Sequence, residues 1–376
     1  MTRFASGTRT DIKQLLHKPE GLQNLLQDIS AKGWLIENTQ SLDYSVDQEI
    51  ADFFERTTAT RSDCDAFARE HLGGEFVPVA VQGVCGYTVY AGPKDEFVAQ
   101  FRLKFSCIDM ETVNLARTIY GGFAPKAVFK GQTGEDVLGK EALYIYVMDR
   151  IQGISYSNII LAHNNQFLET SVDFPSWRKN LVLDVTKFFA LSWKSPQIVD
   201  QSYCDITTHF SANQFRPLIQ NSISSLPAIF SLPMVLLHRD FGVCNMMVNE
   251  ITCNLVGVVD WAEAEVASFG LNLHSHQRLI SKVHLKGGWV RYDDNVTLED
   301  IFWSTFTNEA GGLSDETVKT IEAARIVGLL LSRGFTSRLS KTTEVVPIRD
   351  DKSRAYNMRD LDGLLINPAT RFIDLA

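Results

Sequence analysis

The chain has 376 residues, of which 45% are hydrophobic and 22% charged, and its formal net charge is −9. This composition is typical of a soluble globular protein with enough apolar material for a sizeable core. The acidic balance argues against nucleic acid or an anionic membrane as the main partner, and it is compatible with a neutral or cationic small molecule.

The cysteines and the first residues indicate the compartment. Six cysteines are scattered without a CxxC pair, which favours reduced thiols over a disulfide framework or a zinc site. The opening MTRFASGTRTDIKQLL lacks the apolar segment of a secretory signal, and no run approaches the roughly eighteen apolar residues of a membrane span. We therefore expect a cytoplasmic protein; its oligomeric state does not follow from the sequence.

The first part of the chain has amphipathic helical patterns. They are DIKQLLHKPEGLQNLLQDI, SVDQEIADFFERT and SDCDAFAREHL, the last of which is followed by a double glycine that predicts a helix end. We assign residues 1–76 to a helical N-terminal extension.

The pattern then becomes β-branched and aromatic. The segments EFVPVAVQG, YTVYAG and EFVAQFRLKF predict three strands, METVNLARTIYGG predicts a helix, and KAVFKGQ and LYIYVMDRI predict two more strands. We assign this β-β-β-α-β-β order to a small antiparallel-sheet lobe at 77–147. Residues 148–376 are predicted to form a mostly helical lobe that ends in a polar surface tail.

One β insertion interrupts the helical lobe, and it carries the chemistry. The stretch VLLHRDFGVCNMMV contains His238, Asp240 and Asn245, and the hairpin formed by NMMVN and CNLVGVVDW brings Asp260 back beside Asn245. Phosphoryl transfer needs one carboxylate to orient or deprotonate the attacking hydroxyl, and an amide and a second carboxylate to hold Mg²⁺. Each residue alone is ordinary in a loop, but the combined pattern after a β-rich lobe favours phosphoryl transfer.

These motifs resemble the aminoglycoside phosphotransferase/choline kinase-like group, and most closely the fungal phosphotransferase-family proteins of uncharacterised substrate. The resemblance covers residues 60–310 and is most specific at HRDFGVCN and VGVVDWAEAEVASFGLNLH, with support from FVAQFR, ETVNLARTIYG and YVMDRIQGISY. It implies an α+β, bilobal protein-kinase-like fold that binds ATP and Mg²⁺. Asp260 follows Asp240 by twenty residues, and residues 271–274 come soon after it without an A-P-E motif. No room is left for an activation segment, so a protein kinase is not expected.

The resemblance also implies a role for each matched residue. Asp240 becomes the catalytic base, with His238 as a structural member of the catalytic loop. Asn245 and Asp260 become the magnesium ligands. Val147 and Met148 begin a hinge, up to Arg150, that lies near the adenine.

The nucleotide-binding lobe departs from the family pattern. Gly83 and Gly86 form either a phosphate loop or an ordinary hairpin turn, because a full G-x-G-x-x-G is absent. The lysine expected on the third strand is missing, and alternation leaves Gln100 or Arg102 to face the phosphates, with Lys104 as an outside candidate. Glu111 is either the partner of that cation or a solvated helix charge.

Two further pairs of residues have open interpretations. Glu263 and Glu265 either attract a cationic amine or form a solvated edge. His274 and His276 suggest a transition metal only weakly, because a third ligand is missing, and a core or surface role is favoured.

We therefore predict an ATP- and Mg²⁺-dependent phosphotransferase that acts on a hydroxyl of a small metabolite, and the acidic net charge is compatible with a cationic metabolite. Two alternatives remain: a catalytically silent kinase-like protein that binds a ligand or partner, and a kinase-fold enzyme repurposed for a non-kinase step in secondary metabolism. The acceptor itself cannot be read from the sequence, because acceptor sites in such a fold are built from variable helices and loops.

Overall fold

The structure is a computed structural model that describes residues 45–80, 82–83, 85–162, 173–198, 215–284, 288–334, 355–372 and 375. The helix predicted at 11–29 lies outside these residues. The chain divides into two compact units. We call the described residues of 41–162 and 243–264 the sheet unit, and those of 163–242 and 265–376 the helical unit.

Two of the predicted N-terminal helices begin the sheet unit. Helix α1 spans Val46–Phe54 and is capped by the Ser45 side chain, and helix α2 spans Arg61–Leu72. Thr60 and Asp63 form a reciprocal capping box that satisfies the first amides of α2. The helices pack on the sheet and share one apolar core with it.

The sheet has five antiparallel strands in the order β1-β2-β3-β5-β4. The predicted β-β-β-α-β-β succession is present. It could be predicted because apolar and polar residues alternate along the strands, whereas apolar residues recur about every 3.6 residues along the helix. The elements are β1 (Val77–Pro78), β2 (Gly86–Ala91), β3 (Phe97–Leu103), a 3-10 turn (Lys104–Ser106), α3 (Met110–Tyr120), a 3-10 turn (Gly121–Phe123), β4 (Ala127–Thr133) and β5 (Leu143–Asp149).

The two faces of this sheet differ. One face is buried, and it consists of the inward-facing residues Tyr87, Val89, Ala91, Ala99, Phe101, Leu103, Leu143, Ile145 and Val147. All of them except Val147 share one core with α1 and α2. The strand register places the alternate side chains on the other face, where they form cross-strand rows. Most of them are only half-buried, namely Thr88, Tyr90, Val98, Gln100, Tyr144 and Met148. We call this second surface the open face.

The predicted hairpin completes the sheet unit. Strand β8 (Met246–Val248) pairs antiparallel with β9 (Leu255–Val258) and with the short β6 (Ile154–Ser155), which helix α4 (Tyr156–Ala162) follows. A 3-10 turn at Trp261–Glu263 ends the hairpin.

The helical unit contains six described helices and two strand pairs. The helices are α5 (Phe174–Trp193), α6 (Arg216–Ser231), α7 (Gln277–Ile280), α8 (Asn295–Glu309), α9 (Asp315–Arg333) and α10 (Ala355–Leu361). The antiparallel pairs are β7 (Met234–Leu237) with β10 (Glu265–Ser268), and β11 (Ser281–His284) with β12 (Gly288–Arg291). A 3-10 turn at Leu273–His276 leads into α7, and a π turn at Asp362–Ile366 follows α10.

Two features of this unit differ from the prediction. The pair β11–β12 lies where only helices were expected, because four-residue strands are too short to establish a period. Part of the predicted surface tail belongs to the core, since Leu361, Leu364 and Phe372 are buried. The predicted α+β class, with a small antiparallel sheet and a mostly helical remainder, is confirmed. Among the described helices, none is long and apolar enough to cross a membrane.

Candidate active site

The loop with His238 and Asp240 follows a buried strand of the helical unit. Val235, Leu236 and Leu237 of β7 are buried, and so is His238. The backbone turns at once, with the Phe241 amide donating to the His238 carbonyl at 3.2 Å, and the Asn272 side-chain amide donates to the same carbonyl at 3.4 Å. His238 therefore anchors the loop, while the Asp240 side chain is exposed.

Aromatic packing fixes the other side of this turn. The Phe241 ring is buried and stacks on Phe188 with 5.4 Å between ring centroids, and it contacts Phe189 at 5.1 Å. Residues 238 and 241 thus point into the unit and residue 240 points out. This arrangement is what a carboxylate needs in order to meet a ligand from a rigid support.

Arg239 pairs with Glu265, the first residue of β10; the Glu265 side chain is buried and that of Arg239 is 22% exposed. Because Glu265 is buried and neutralised, neither the amine-attracting nor the solvated-edge interpretation describes it, and its role is to hold Arg239. Glu263, by contrast, is exposed.

Asn245 and Asp260 lie at the same end of the β8–β9 hairpin. Met246 pairs with Val258, and the Val259 amide donates to the Asn245 carbonyl at 2.9 Å, so the chain positions of the two predicted metal ligands are adjacent. The buried Trp261 ring, which lies 4.9 Å from Tyr120, donates to the Val258 carbonyl. This packing supports the backbone just after Asp260.

Asp260 has a left-handed backbone with φ 60° and ψ 63°. Such a conformation costs about 1–3 kcal/mol for a residue other than glycine, and it persists where surrounding structure imposes it. Here the antiparallel hairpin on one side and the Trp261 turn on the other impose it. The turn directs a carboxylate that is 47% exposed.

Arg102 of β3 approaches this carboxylate. Its Nη1 lies 3.6 Å from Asp260 Oδ1, and it donates to Gln100 Oε1 at 3.3 Å, while Nε donates to the Ser106 carbonyl at 2.8 Å. The Arg102 side chain is only 9% exposed, so its charge is held in place beside Asp260. Of the candidates for the missing lysine, Arg102 is the one that the structure brings to Asp260.

Lys104, the other candidate cation, and Glu111, the candidate partner of the cation, do not pair with Asp260 or Arg102 among the residues that the structure describes. Lys104 is in the 3-10 turn after β3 and pairs with Asp136. Glu111 is exposed in the first turn of α3. Within the described part of the chain, it does not pair with Arg102, whose partners are Asp260, Gln100 and Ser106. The structure therefore favours the solvated interpretation of Glu111.

The predicted hinge residues fall on opposite faces of β5. Val147 is buried and pairs with Ala99, so its side chain is turned away from the open face, whereas Met148 lies on the open face opposite Val98. The Asp149 and Arg150 amides donate to the carbonyls of Lys126 and Glu96. These two hinge amides are thus already engaged within the protein.

The turn that contains Gly83 and leads into β2 at Gly86, which we call the glycine turn, is closed by the side chain of Gln82. Buried Gln82 donates through Nε2 to the carbonyls of Val79 and Thr88, and its Oε1 accepts from the Thr88 amide at 2.9 Å. A Cβ on Gly86 would lie 2.8 Å from the Phe101 carbonyl, whereas a Cβ on Gly83 would meet nothing within 4 Å. Gly86 is thus required by strand packing, and Gly83 has no such requirement.

This difference predicts opposite outcomes for two glycine variants. Gly86→Ala is expected to destabilise the protein by about 1–3 kcal/mol, because the methyl group overpacks the β2–β3 contact. Gly83→Ala is expected to unfold at the same denaturant concentration as the wild-type protein. If Gly83 belongs to a phosphate loop, the added methyl group should weaken nucleotide binding. Urea unfolding and calorimetric titration with Mg-ATP measure the two effects. A destabilised Gly83→Ala protein would contradict this interpretation.

The two further histidines lie in the helical unit. Burial, and then the charges of Arg333, Arg278 and Arg239, lower the pKa of His274 well below its usual value. His276 is buried, with Nε2 3.4 Å from Glu299. Within the described residues, no group of three or more His, Cys, Asp and Glu side chains is arranged to hold a metal ion. His276 therefore has a core role, and His274 is half-buried.

The donor set of the hairpin nevertheless fits magnesium. Mg²⁺ prefers oxygen ligands and keeps several waters, so it is commonly held by one or two protein side chains together with substrate phosphates. Asp260 offers a carboxylate and Asn245 an amide oxygen. These two residues are sufficient for a nucleotide-bound Mg²⁺ ion and insufficient for a protein-only metal site.

Comparisons with known proteins return similar folds at low identity. No family model and no curated protein matches the chain. Similar solved structures include an ethanolamine kinase from Plasmodium vivax, with TM-score 0.43 and 11% identity over 86% of this chain and 96% of that one. An aminoglycoside phosphotransferase from Streptomyces rimosus in complex with ADP and streptomycin has TM-score 0.40 and 10% identity over 71% and 99%.

A macrolide 2′-phosphotransferase from Brachybacterium faecium has TM-score 0.36 and 14% identity over 72% of this chain and 90% of that one. These structures belong to the aminoglycoside phosphotransferase and choline kinase-like group that the sequence motifs resemble. Because every TM-score is below 0.5, the functional argument rests on the residues of the site.

Proposed function

We propose that this protein transfers the γ-phosphoryl group of ATP, with Mg²⁺, to a hydroxyl group of a small metabolite. The observation that carries the proposal is the Arg102–Asp260 pair, in which a buried guanidinium lies 3.6 Å from a strained, exposed carboxylate. A strained backbone and a buried cation beside an acid are features that concentrate at functional sites.

Each residue has one role in this proposal. Asp240 orients the acceptor hydroxyl and accepts its proton as the new P–O bond forms. Asn245 and Asp260 would supply the oxygen atoms that hold Mg²⁺, which when bound would provide positive charge beside the phosphate oxygens. Arg102 donates to phosphate from the open face, where a planar guanidinium offers paired N–H groups. His238 and Phe241 keep the catalytic loop rigid.

The expected binding behaviour follows from these roles. We expect Mg-ATP to raise the melting temperature by roughly 2–4 °C at a hundredfold excess over Kd, because a ligand that binds only the native state adds about 2.7 kcal/mol of stability. ATP without Mg²⁺ should produce little change, and Asp260→Ala should abolish the response. Differential scanning fluorimetry makes the measurement. A flat response of the wild-type protein to millimolar Mg-ATP would remove the kinase assignment.

One observation favours a second candidate, a catalytically silent kinase-like protein that binds a ligand or partner. Arg102 already contacts Ser106, Gln100 and Asp260, so its donors are partly engaged before any nucleotide binds. Binding of Mg-ATP without ADP formation over a broad panel of alcohols would favour this candidate over the enzyme.

A further inference from the structure

Ser106 lies where the glycine turn and the phosphate-facing cation meet. It is the last residue of the 3-10 turn after β3, and it is buried. Its hydroxyl oxygen lies 3.0 Å from the carbonyl oxygens of both Cys85 and Leu103, so its single proton is shared between them, and its own backbone carbonyl accepts from Arg102 Nε at 2.8 Å. One residue thus contacts both the turn and the cation.

The bond to Nε determines where the charge of Arg102 is directed. A guanidinium is planar, with its five N–H groups in fixed directions, so an acceptor on Nε sets the orientation of the whole plane. With Nε held by Ser106, Nη1 is directed to Gln100 and towards Asp260. Without this bond, the long side chain would regain rotamer freedom beside a solvent-exposed carboxylate.

The Ser106 hydroxyl group contacts the glycine turn through the Cys85 carbonyl. The Cys85 carbonyl accepts from Ser106 and, at 3.3 Å, from the Leu103 amide, so the turn is tied to the end of β3. Burial raises the pKa of the Cys85 thiol, which therefore stays neutral and contributes no charge to the turn. Gly83 lies two residues before Cys85 in the same turn.

We propose that Ser106 is a positioning residue that couples the glycine turn to Arg102. Its backbone carbonyl holds the guanidinium, and its hydroxyl group, bonded to the Cys85 and Leu103 carbonyls, fixes the position of that backbone. The phosphate-binding side of the open face is thereby preorganised before the nucleotide arrives. The coupling to nucleotide affinity rests on the proposed function, whereas the orientation of Arg102 does not. Nothing in the sequence pattern marks this serine, because its partners are backbone groups.

The first experiment measures Mg-ATP affinity by calorimetric titration. Ser106→Ala is expected to raise Kd about tenfold, which corresponds to about 1.4 kcal/mol, while Ser106→Thr, which keeps the hydroxyl group, restores affinity. Ser192→Ala is the matched control, because Ser192 is also buried and its hydroxyl donates to a carbonyl three residues earlier, that of Phe189, within a helix of the helical unit. It should lose some stability and retain wild-type Kd.

A double-mutant cycle separates positioning from general loosening. If Ser106 acts through Arg102, the effect of Ser106→Ala on Kd should largely disappear in an Arg102→Met background. Equal, additive effects in both backgrounds would overturn the proposal, and so would an unchanged Kd in Ser106→Ala when the wild-type protein binds Mg-ATP.

The second experiment needs no nucleotide. The Arg102 Nε–H resonance, assigned by its loss in Arg102→Lys, should be protected from solvent exchange in the wild-type protein and in Ser106→Thr, and should exchange faster in Ser106→Ala. Unchanged exchange would overturn the proposal. If the wild-type protein fails to bind Mg-ATP while this change in exchange occurs, the proposed function fails and the positioning role of Ser106 stands.

Discussion

Asp240→Asn is expected to lose roughly a thousandfold in turnover while it keeps its affinity for Mg-ATP within about twofold. Positioned general-base catalysis contributes about 10²–10⁴ to a rate, and an amide of the same shape cannot accept the proton. The buried His238 and Phe241 on either side hold the loop independently of the charge at residue 240, so the fold should not change. Turnover is measured as ADP release with an acceptor found by screening small alcohols.

Two other variants serve as comparisons for the turnover of Asp240→Asn. Cys244→Ser changes an exposed residue of the same loop and should turn over like the wild-type protein. Asp260→Ala should lose Mg-ATP binding itself, because it removes the carboxylate that we propose as a magnesium ligand. Wild-type turnover in both Asp240→Asn and Asp260→Ala would show that the roles are wrongly assigned.

Glu299→Ala is expected to cost about 3–5 kcal/mol of unfolding free energy, because it leaves a buried cation without its counter-charge. Glu299 Oε1 lies 2.8 Å from Arg325 Nη1, and the two side chains are 10% and 3% exposed. The Glu299 carboxylate also contacts His276, and it accepts from the ring N–H of Trp303 at 3.3 Å. Removing the carboxylate therefore disrupts a network that joins α8, α9 and the turn before α7.

Equilibrium unfolding in urea measures this cost. Asp300→Asn is the matched control, because Asp300 is the next residue of α8 and is exposed, so its substitution should change stability by less than about 0.5 kcal/mol. A loss of under about 1 kcal/mol in Glu299→Ala would mean that the network relaxes or admits water.

The same carboxylate predicts an acid-dependent loss of stability. Burial alone raises the pKa of Glu299, but the charge of Arg325 and the contact with His276 outweigh it and hold the pKa well below its usual range. A depressed native pKa means that the unfolded chain takes up the proton first, so the stabilisation is complete above the unfolded pKa of about 4.3. It is lost progressively as the pH falls below that value. Glu299→Gln should flatten this part of the stability–pH curve.

The sequence predicts those parts of the fold that have a local signal. Alternation in segments such as FVAQFR identifies the strands of the sheet, and the run from Asn245 to Asp260 identifies the hairpin, because its turn lies between two apolar segments. Alternation also places Gln100 and Arg102 on one face. It cannot choose between them, since the choice depends on where Asp260 lies, about 160 residues further along the chain.

Features that depend on distant partners have no such signal. The Ser106 hydroxyl group bonds to the Cys85 carbonyl, 21 residues earlier in the chain, and Glu265 pairs with Arg239 next to the β7–β10 strand pair. Glu299 and Arg325 are 26 residues apart on different helices. In each case the residue type is ordinary for its position, and only the three-dimensional arrangement assigns its role.

The sheet unit is discontinuous along the chain, and this affects how it can be synthesised and dissected. Strand β6 pairs with β8, and Tyr120 packs on Trp261, so the unit lacks these partners until residue 264 has left the ribosome. Contacts of such long sequence separation form late and slow folding. A truncated protein that ends at Ala162 would expose the partner surfaces of the hairpin, and we expect it to aggregate. A fragment that begins at Ser41, joins Ala162 to Val243 through a short linker and ends at Ala264 would contain the whole sheet unit. We expect this fragment to be soluble and to contain both Arg102 and Asp260.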